Sequence, residues 1–163
     1  MPFMVRTARP SDATTIAEFN RRLALETENL VLQPAALAAG VAAVLADRSR
    51  GRYFVAEEAG DVIGQVMITY EWSDWRNGWI WWIQSVYVRA DRRKNNVFRS
   101  ILDFIQETAR AEGDVVALRL YVEKENKAAQ ATYHRLGFEE IHFHLLQKLM
   151  PTEAPRRDIT AAT

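Results

Sequence analysis

Ser85-Val86-Tyr87-Val88-Arg89-Ala90-Asp91-Arg92-Arg93-Lys94-Asn95-Asn96-Val97-Phe98-Arg99 is the stretch whose reading decides the fold. Branched and aromatic residues run up to Val88, a turn rich in Arg, Lys and Asn follows, and apolar side chains then recur at helical spacing at Val97, Ile101, Phe104 and Ile105. The order is strand, basic loop, helix. The first N–H groups of a helix lack partners and carry partial positive charge, so this loop, with Arg92, Arg93 and Lys94, suits an anion such as a pyrophosphate.

Upstream of this stretch, residues 79–88 are apolar on both alternations, which predicts a central strand covered on both faces, with Gln84 and Ser85 as its polar interruptions. Before it, 53–56 and 62–70 predict two strands joined by a tight turn at Ala59-Gly60-Asp61. Residues 3–8 predict a first strand. Ile16, Phe19 and Leu23 mark one face of a first helix ending in Glu26 and Glu28, and Pro34 opens an alanine-rich second helix. Downstream, a helix over 95–112 stops at Gly113, and 115–122 predict another strand. A short helix over 127–136 is closed by Gly137, and 138–146 alternate as a last strand. The expected organisation is one domain over 1–148 and a flexible tail over 149–163.

Composition sets the limits. The chain of 163 residues is long enough for one domain with a real core, and its 48% hydrophobic and 26% charged residues are those of a globular protein. Lys plus Arg equals Asp plus Glu at 21 each, so no general field draws the chain to nucleic acid or an acidic membrane, and an anion site has to be local. With no cysteine there is no disulfide, thiolate metal site or cysteine acyl-enzyme. His142 and His144 alternate on a strand without further ligands spaced around them, so no metal is expected. The first residues lack a basic flank followed by an apolar core, and no apolar run reaches the roughly 18 residues of a membrane span; the expectation is a cytoplasmic protein.

Three signatures together resemble the Gcn5-related N-acetyltransferase family. Val5-Arg6-Thr7-Ala8-Arg9-Pro10-Ser11-Asp12 is similar to its first strand and turn, and residues 86–98 to its acyl-CoA loop. Tyr121 to Phe138 matches its pattern of strand, Asn, helix, Tyr and Gly-Phe most closely. The resemblance implies an α/β (α+β) domain with a central mixed, mostly antiparallel sheet of six or seven strands and helices on both faces. It also implies acetyl-CoA as cofactor and transfer of its acetyl group to a primary amine, by direct attack in a ternary complex.

Carried onto this chain, the resemblance assigns coenzyme A to the main chain of Val86, Tyr87 and Val88, to the loop of Arg93, Lys94, Asn95, Asn96, Val97, Phe98 and Arg99, and to Asn126 and Tyr133. Asn96 and Phe98 stand where the family has small residues. Glycine takes positive φ without strain, asparagine less readily, and phenylalanine adds bulk whose ring has room only if it faces the core. Tyr133 is the candidate proton donor to the leaving thiolate, and Asn126 the residue near the cofactor. As plain structure, Asn126 is a helix cap and Tyr133 a half-buried helix residue.

The base is less defined. Gln84, at the strand position where many relatives carry glutamate, cannot take a proton, which leaves Glu26, Glu28, Glu71 and Asp74 on the acceptor side. Glu28 and Glu71 are the catalytic candidates; Glu26, Glu28, Trp72, Trp81 and Gln84 are the candidate acceptor pocket, with Trp75 and Trp79 also available as walls. The acceptor expected is a small-molecule amine. Two other readings stay open: an acyl-CoA-binding module with lost or weak turnover, suggested by Asn96 and Phe98, and a protein-modifying acetyltransferase. A homodimer is also compatible with the sequence.

Overall fold

The computed structural model describes residues 2–151 and the backbone of 160–161. Its elements are β1 (Met4–Thr7), α1 (Ala13–Glu28), β2 (Leu30–Val31), α2 (Pro34–Ala46), β3 (Arg52–Glu58), β4 (Asp61–Ser73), β5 (Gly78–Val88), α3 (Val97–Glu112), β6 (Val115–Leu120), α4 (Lys127–Arg135) and β7 (Thr160–Ala161). A five-stranded sheet runs β1-β3-β4-β5-β6, antiparallel except for the parallel β5–β6 pair. β2 and β7 form a separate antiparallel pair.

Local chemistry explains the connections. Glu58 pairs with Asp61, which leaves Ala59 and Gly60 as a two-residue turn, both at positive φ (51° and 89°), the backbone that matches the twist of an antiparallel hairpin. α3 carries apolar side chains on one stripe, and Ile101, Leu102 and Ile105 lie buried with Phe54, Ile68, Trp81 and Ile83 on one face of the sheet. The other face is covered by α1 and α2, where Ile16 and Val41 meet Tyr53 and Val55. Helices therefore cover both faces, as the resemblance implies.

Two expectations are corrected. The central sheet has five strands rather than six or seven, because 138–146 form no strand. Ile141, Phe143, Leu145 and Leu146 along it are exposed, and β6 remains the edge of the sheet. Alternation makes a segment competent to be a strand, but pairing needs a partner edge, and that is a tertiary fact. The tail expected over 149–163 falls mostly outside the described residues; at 160–161 the backbone pairs with β2. Among the described residues no helix is long and apolar enough to cross a membrane.

Candidate active site

β5 is paired along its whole length on one side, from Ser73 opposite Gly78 to Gly64 opposite Val88 on β4. On the other side β6 accompanies it only from Trp79 opposite Val115 to Ile83 opposite Leu120. Beyond Ile83, residues 84–88 have a free edge among the described strands. Within that opening the register against β4 shifts: Gln65 faces Tyr87 while Met67 faces Gln84, so β5 carries one residue more than its partner. The bulge centres on Ser85, at φ 50°. Bulges turn peptide groups out of the ladder and recur beside active sites.

The basic loop follows. Lys94 (φ 67°) and Asn96 (φ 60°) are both left-handed and flank Asn95, just before Val97, the first residue of α3. Asparagine thus takes the conformation for which the resemblance expects glycine. Successive N–H groups in such turns converge into an anion-binding concavity at the positive end of a helix. α3 starts close to the sheet because Gly64 has no side chain; a Cβ there would lie 2.9 Å from Val97 Cγ1. Phe98 does not stand over the loop: its half-buried ring packs on the core and meets the ring of Tyr133 edge-on at 5.7 Å. Lys94, Asn95 and Arg99 are exposed beside it.

The cations around the loop are largely paired. Arg89 and Arg92 bind Asp91, and Arg92 also binds Glu58. Arg93, expected to be free for phosphate, donates from Nη2 to Glu26 Oε2 at 2.6 Å and from Nε to the Val88 carbonyl at 3.0 Å, with its guanidinium over the Tyr87 ring. The Tyr87 hydroxyl donates to the other oxygen of Glu26 at 3.1 Å. Glu26 is therefore tied to the start of the basic loop through both Arg93 and Tyr87. Its carboxylate reaches there because α1 ends against the end of β5.

Asn126 caps α4, its Oδ1 accepting from Ala129 N at 3.1 Å. Tyr133, two residues before the end of α4, lies between Phe98 and Phe138, and burial pushes its phenol above the usual value.

The acceptor-side candidates separate. Trp81 is buried in the core on the α3 face, with the Arg52 guanidinium 4.7 Å from its ring centre, and lines a recess there with Tyr70 and Trp79. Trp72 packs edge-on against Trp79 at the far end of the β4–β5 hairpin. Glu71 faces Ile80 in the ladder, about 16 Å along β4 from the bulge. Its carboxylate accepts from Trp82 Nε1 at 2.7 Å and pairs with Arg119. Gln84, next to the bulge, donates to Thr69 Oγ1. Glu28 is the exposed last residue of α1.

Sequence reasoning missed Trp82, Gln65 and Ser85. Trp82, stacked on Tyr121 at 4.5 Å, is the tryptophan on the face shared with Glu71 and Arg119. A signal was present in the two consecutive polar residues Gln84-Ser85 that interrupt the apolar run, and in the structure Ile83 and Val86 share the α3-side core although an odd step separates them, which a regular strand does not allow.

The sequence pattern of the acetyltransferase (GNAT) family matches residues 18–138. None of the curated proteins matches the sequence. Among solved structures, the chain is similar to a possible acetyltransferase from Clostridium difficile 630, at 41% identity and TM-score 0.87, over 93% of this chain and 100% of that one. Two others share the fold: an acetyltransferase from Clostridium acetobutylicum solved with acetyl-CoA (18% identity, TM-score 0.75, 90% and 96% covered), and an aminoglycoside acetyltransferase from an uncultured soil metagenomic sample (14% identity, TM-score 0.72, 92% and 100% covered). The matched region takes in β5 with its bulge, the left-handed loop and α4, and the chain belongs to the GNAT acetyltransferase family of acyltransferases.

Proposed function

We propose that the protein transfers an acetyl group from acetyl-CoA to a primary amine of a small molecule, by direct attack with both substrates bound. The free, bulged edge of β5 carries this reading. The main chain of 86–88 offers alternating N–H and C=O groups to which an extended pantetheine arm adds as a strand does. The N–H groups from Arg93 to Phe98, with Lys94 and Arg99, hold the pyrophosphate at the start of α3. Acetyl-CoA, when bound, supplies the activated carbonyl carbon. Tyr133 gives its proton to the departing sulfur, and Glu28 is the carboxylate assigned to the amine. The shared fold of an aminoglycoside acetyltransferase supports a small amine as acceptor.

Calorimetric titration with acetyl-CoA and a thiol-release assay over a panel of small amines and lysine peptides test the reading. Saturable binding with amine-dependent thiol release is expected. No binding at millimolar acetyl-CoA refutes it, binding without acceptor-dependent thiol favours an acyl-CoA-binding module, and release with peptides alone favours a protein acceptor.

Two further outcomes belong to the loop. Asn96→Gly removes the strain of a side chain at φ 60°, so coenzyme A affinity is expected to hold or tighten; a large loss makes the Asn side chain itself a ligand. Glu26→Gln removes a negative charge next to the phosphate cradle and loosens Arg93, so affinity is expected to rise by about three- to tenfold at low salt, less at high salt. An affinity loss instead assigns Glu26 to holding the loop in its binding shape.

A further inference from the structure

The bulge at Ser85 is held from the α1 face by a buried polar cluster. Gln65, on β4, is fully buried. Its Nε2 donates to Asn20 Oδ1 on α1 at 2.7 Å and to the Ser85 carbonyl at 3.2 Å. Asn20 Nδ2 donates to the Tyr53 hydroxyl at 3.1 Å, and the Ser85 side chain lies near that hydroxyl. Gln65 Oε1 is enclosed without a partner among the described residues. The opposite amide orientation would set that oxygen against two other acceptors, Asn20 Oδ1 and Ser85 O, so the network defines which way the amide faces. A buried amide with an orphan carbonyl is a costly core residue, and an apolar side chain of equal size would avoid the cost. What the amide adds here is its grip on Ser85.

We propose that Gln65 is a positioning residue for acetyl transfer: by holding the Ser85 carbonyl it sets the bulged peptide so that the Val86 N–H faces the free edge of β5, where the thioester carbonyl oxygen binds. In a trans peptide the C=O of one residue and the N–H of the next point in opposite directions, and no described peptide is cis. Gln65 draws the Ser85 C=O toward β4 and α1, so the Val86 N–H points to the side that β6 has left. There it stabilises the oxygen that gains charge as the amine attacks. Ser85 at φ 50° occupies a backbone region that persists only where its surroundings impose it; freed from the amide, the peptide relaxes and the N–H loses its aim.

The inference rests on the acetyl-transfer reading, and Gln65→Met tests it. Methionine keeps the volume and removes the donors. The expected result is a fall in kcat of about 10- to 100-fold, less than the roughly 100- to 1,000-fold lost when an oxyanion donor is removed outright. Coenzyme A affinity stays unchanged, and any preference for acetyl-CoA over coenzyme A disappears. The unfolding temperature does not fall correspondingly, because the orphan carbonyl leaves with the amide. Asn20→Ala, which removes the brace on Gln65 but not the Gln65–Ser85 bond, gives the same split at smaller size and serves if Gln65→Met does not fold. Wild-type kcat in the variants overturns the proposal, as does a fall of kcat, coenzyme A affinity and thermal stability in parallel, which is a structural role alone. A wild-type protein that binds no coenzyme A removes the acetyl-transfer reading and this proposal together.

Discussion

Tyr133→Phe is expected to lower kcat by about 100-fold while leaving the dissociation constant of acetyl-CoA unchanged, the loss appropriate to one general acid. The Tyr133 ring sits edge-on to Phe98 and Phe138 at 5.7 and 5.9 Å, and phenylalanine keeps both contacts, so the anchoring of α4 survives the change. Only the hydroxyl is lost. A phenol ordinarily titrates near 10, and burial raises this one further. The donor therefore stays protonated through the range in which an amine acceptor loses its proton, and an alkaline fall in rate caused by Tyr133 belongs above pH 10, absent from the variant. Steady-state rates with calorimetric affinities check the split; an unchanged kcat takes Tyr133 out of the mechanism.

The second large effect is on stability. Arg6, on β1, binds Asp12 through two nitrogens at 2.7 and 3.0 Å and Glu57 of β3 at 2.7 Å, and Asp12 also accepts from Arg9 N at 2.7 Å just before α1. Arg6 and Asp12 side chains are only 12% and 8% exposed. Arg6→Ala leaves two carboxylates facing each other in a nearly dry site, and an expected loss of about 3 kcal/mol in urea unfolding follows from stranding one side of a buried pair. The pH dependence has a definite sign. The Arg6 guanidinium holds the Asp12 carboxyl below the ordinary value of 3.8, so its contribution is present above that value and lost as pH falls through the folded-state pKa. The variant lacks this slope, and the two stability curves converge in acid. Curves that stay parallel down to the acid limit assign the loss to packing of the Arg6 stem. α1 begins at this junction and carries Asn20 and Glu26, so the same pair indirectly registers the site.

Much of this was legible in the chain. The Ala59-Gly60 turn, the α3 stripe and the cap at Asn126 follow from local backbone preference and periodicity, which act over a few residues. The basic loop between β5 and α3 was legible from the residue pattern of 85–99, and the conformation of Asn96 shows that it makes a left-handed turn without glycine at that position. Alternation places Trp81 and Trp82 on opposite faces of β5 without saying which face α3 covers, and that is settled only by packing.

The sequence alone determined the order of the elements from β3 to α4 and the place of the basic turn before α3, because both depend on neighbours within a turn or two. Only the tertiary structure decided that Glu26 meets Arg93, that Gln65 grips Ser85, that Trp81 rather than Trp82 lies on the α3 face, and that 138–146 form no strand. Each of these is a contact between segments far apart in the chain, where burial leaves a polar group with one available partner or an edge with none, and no local pattern records which.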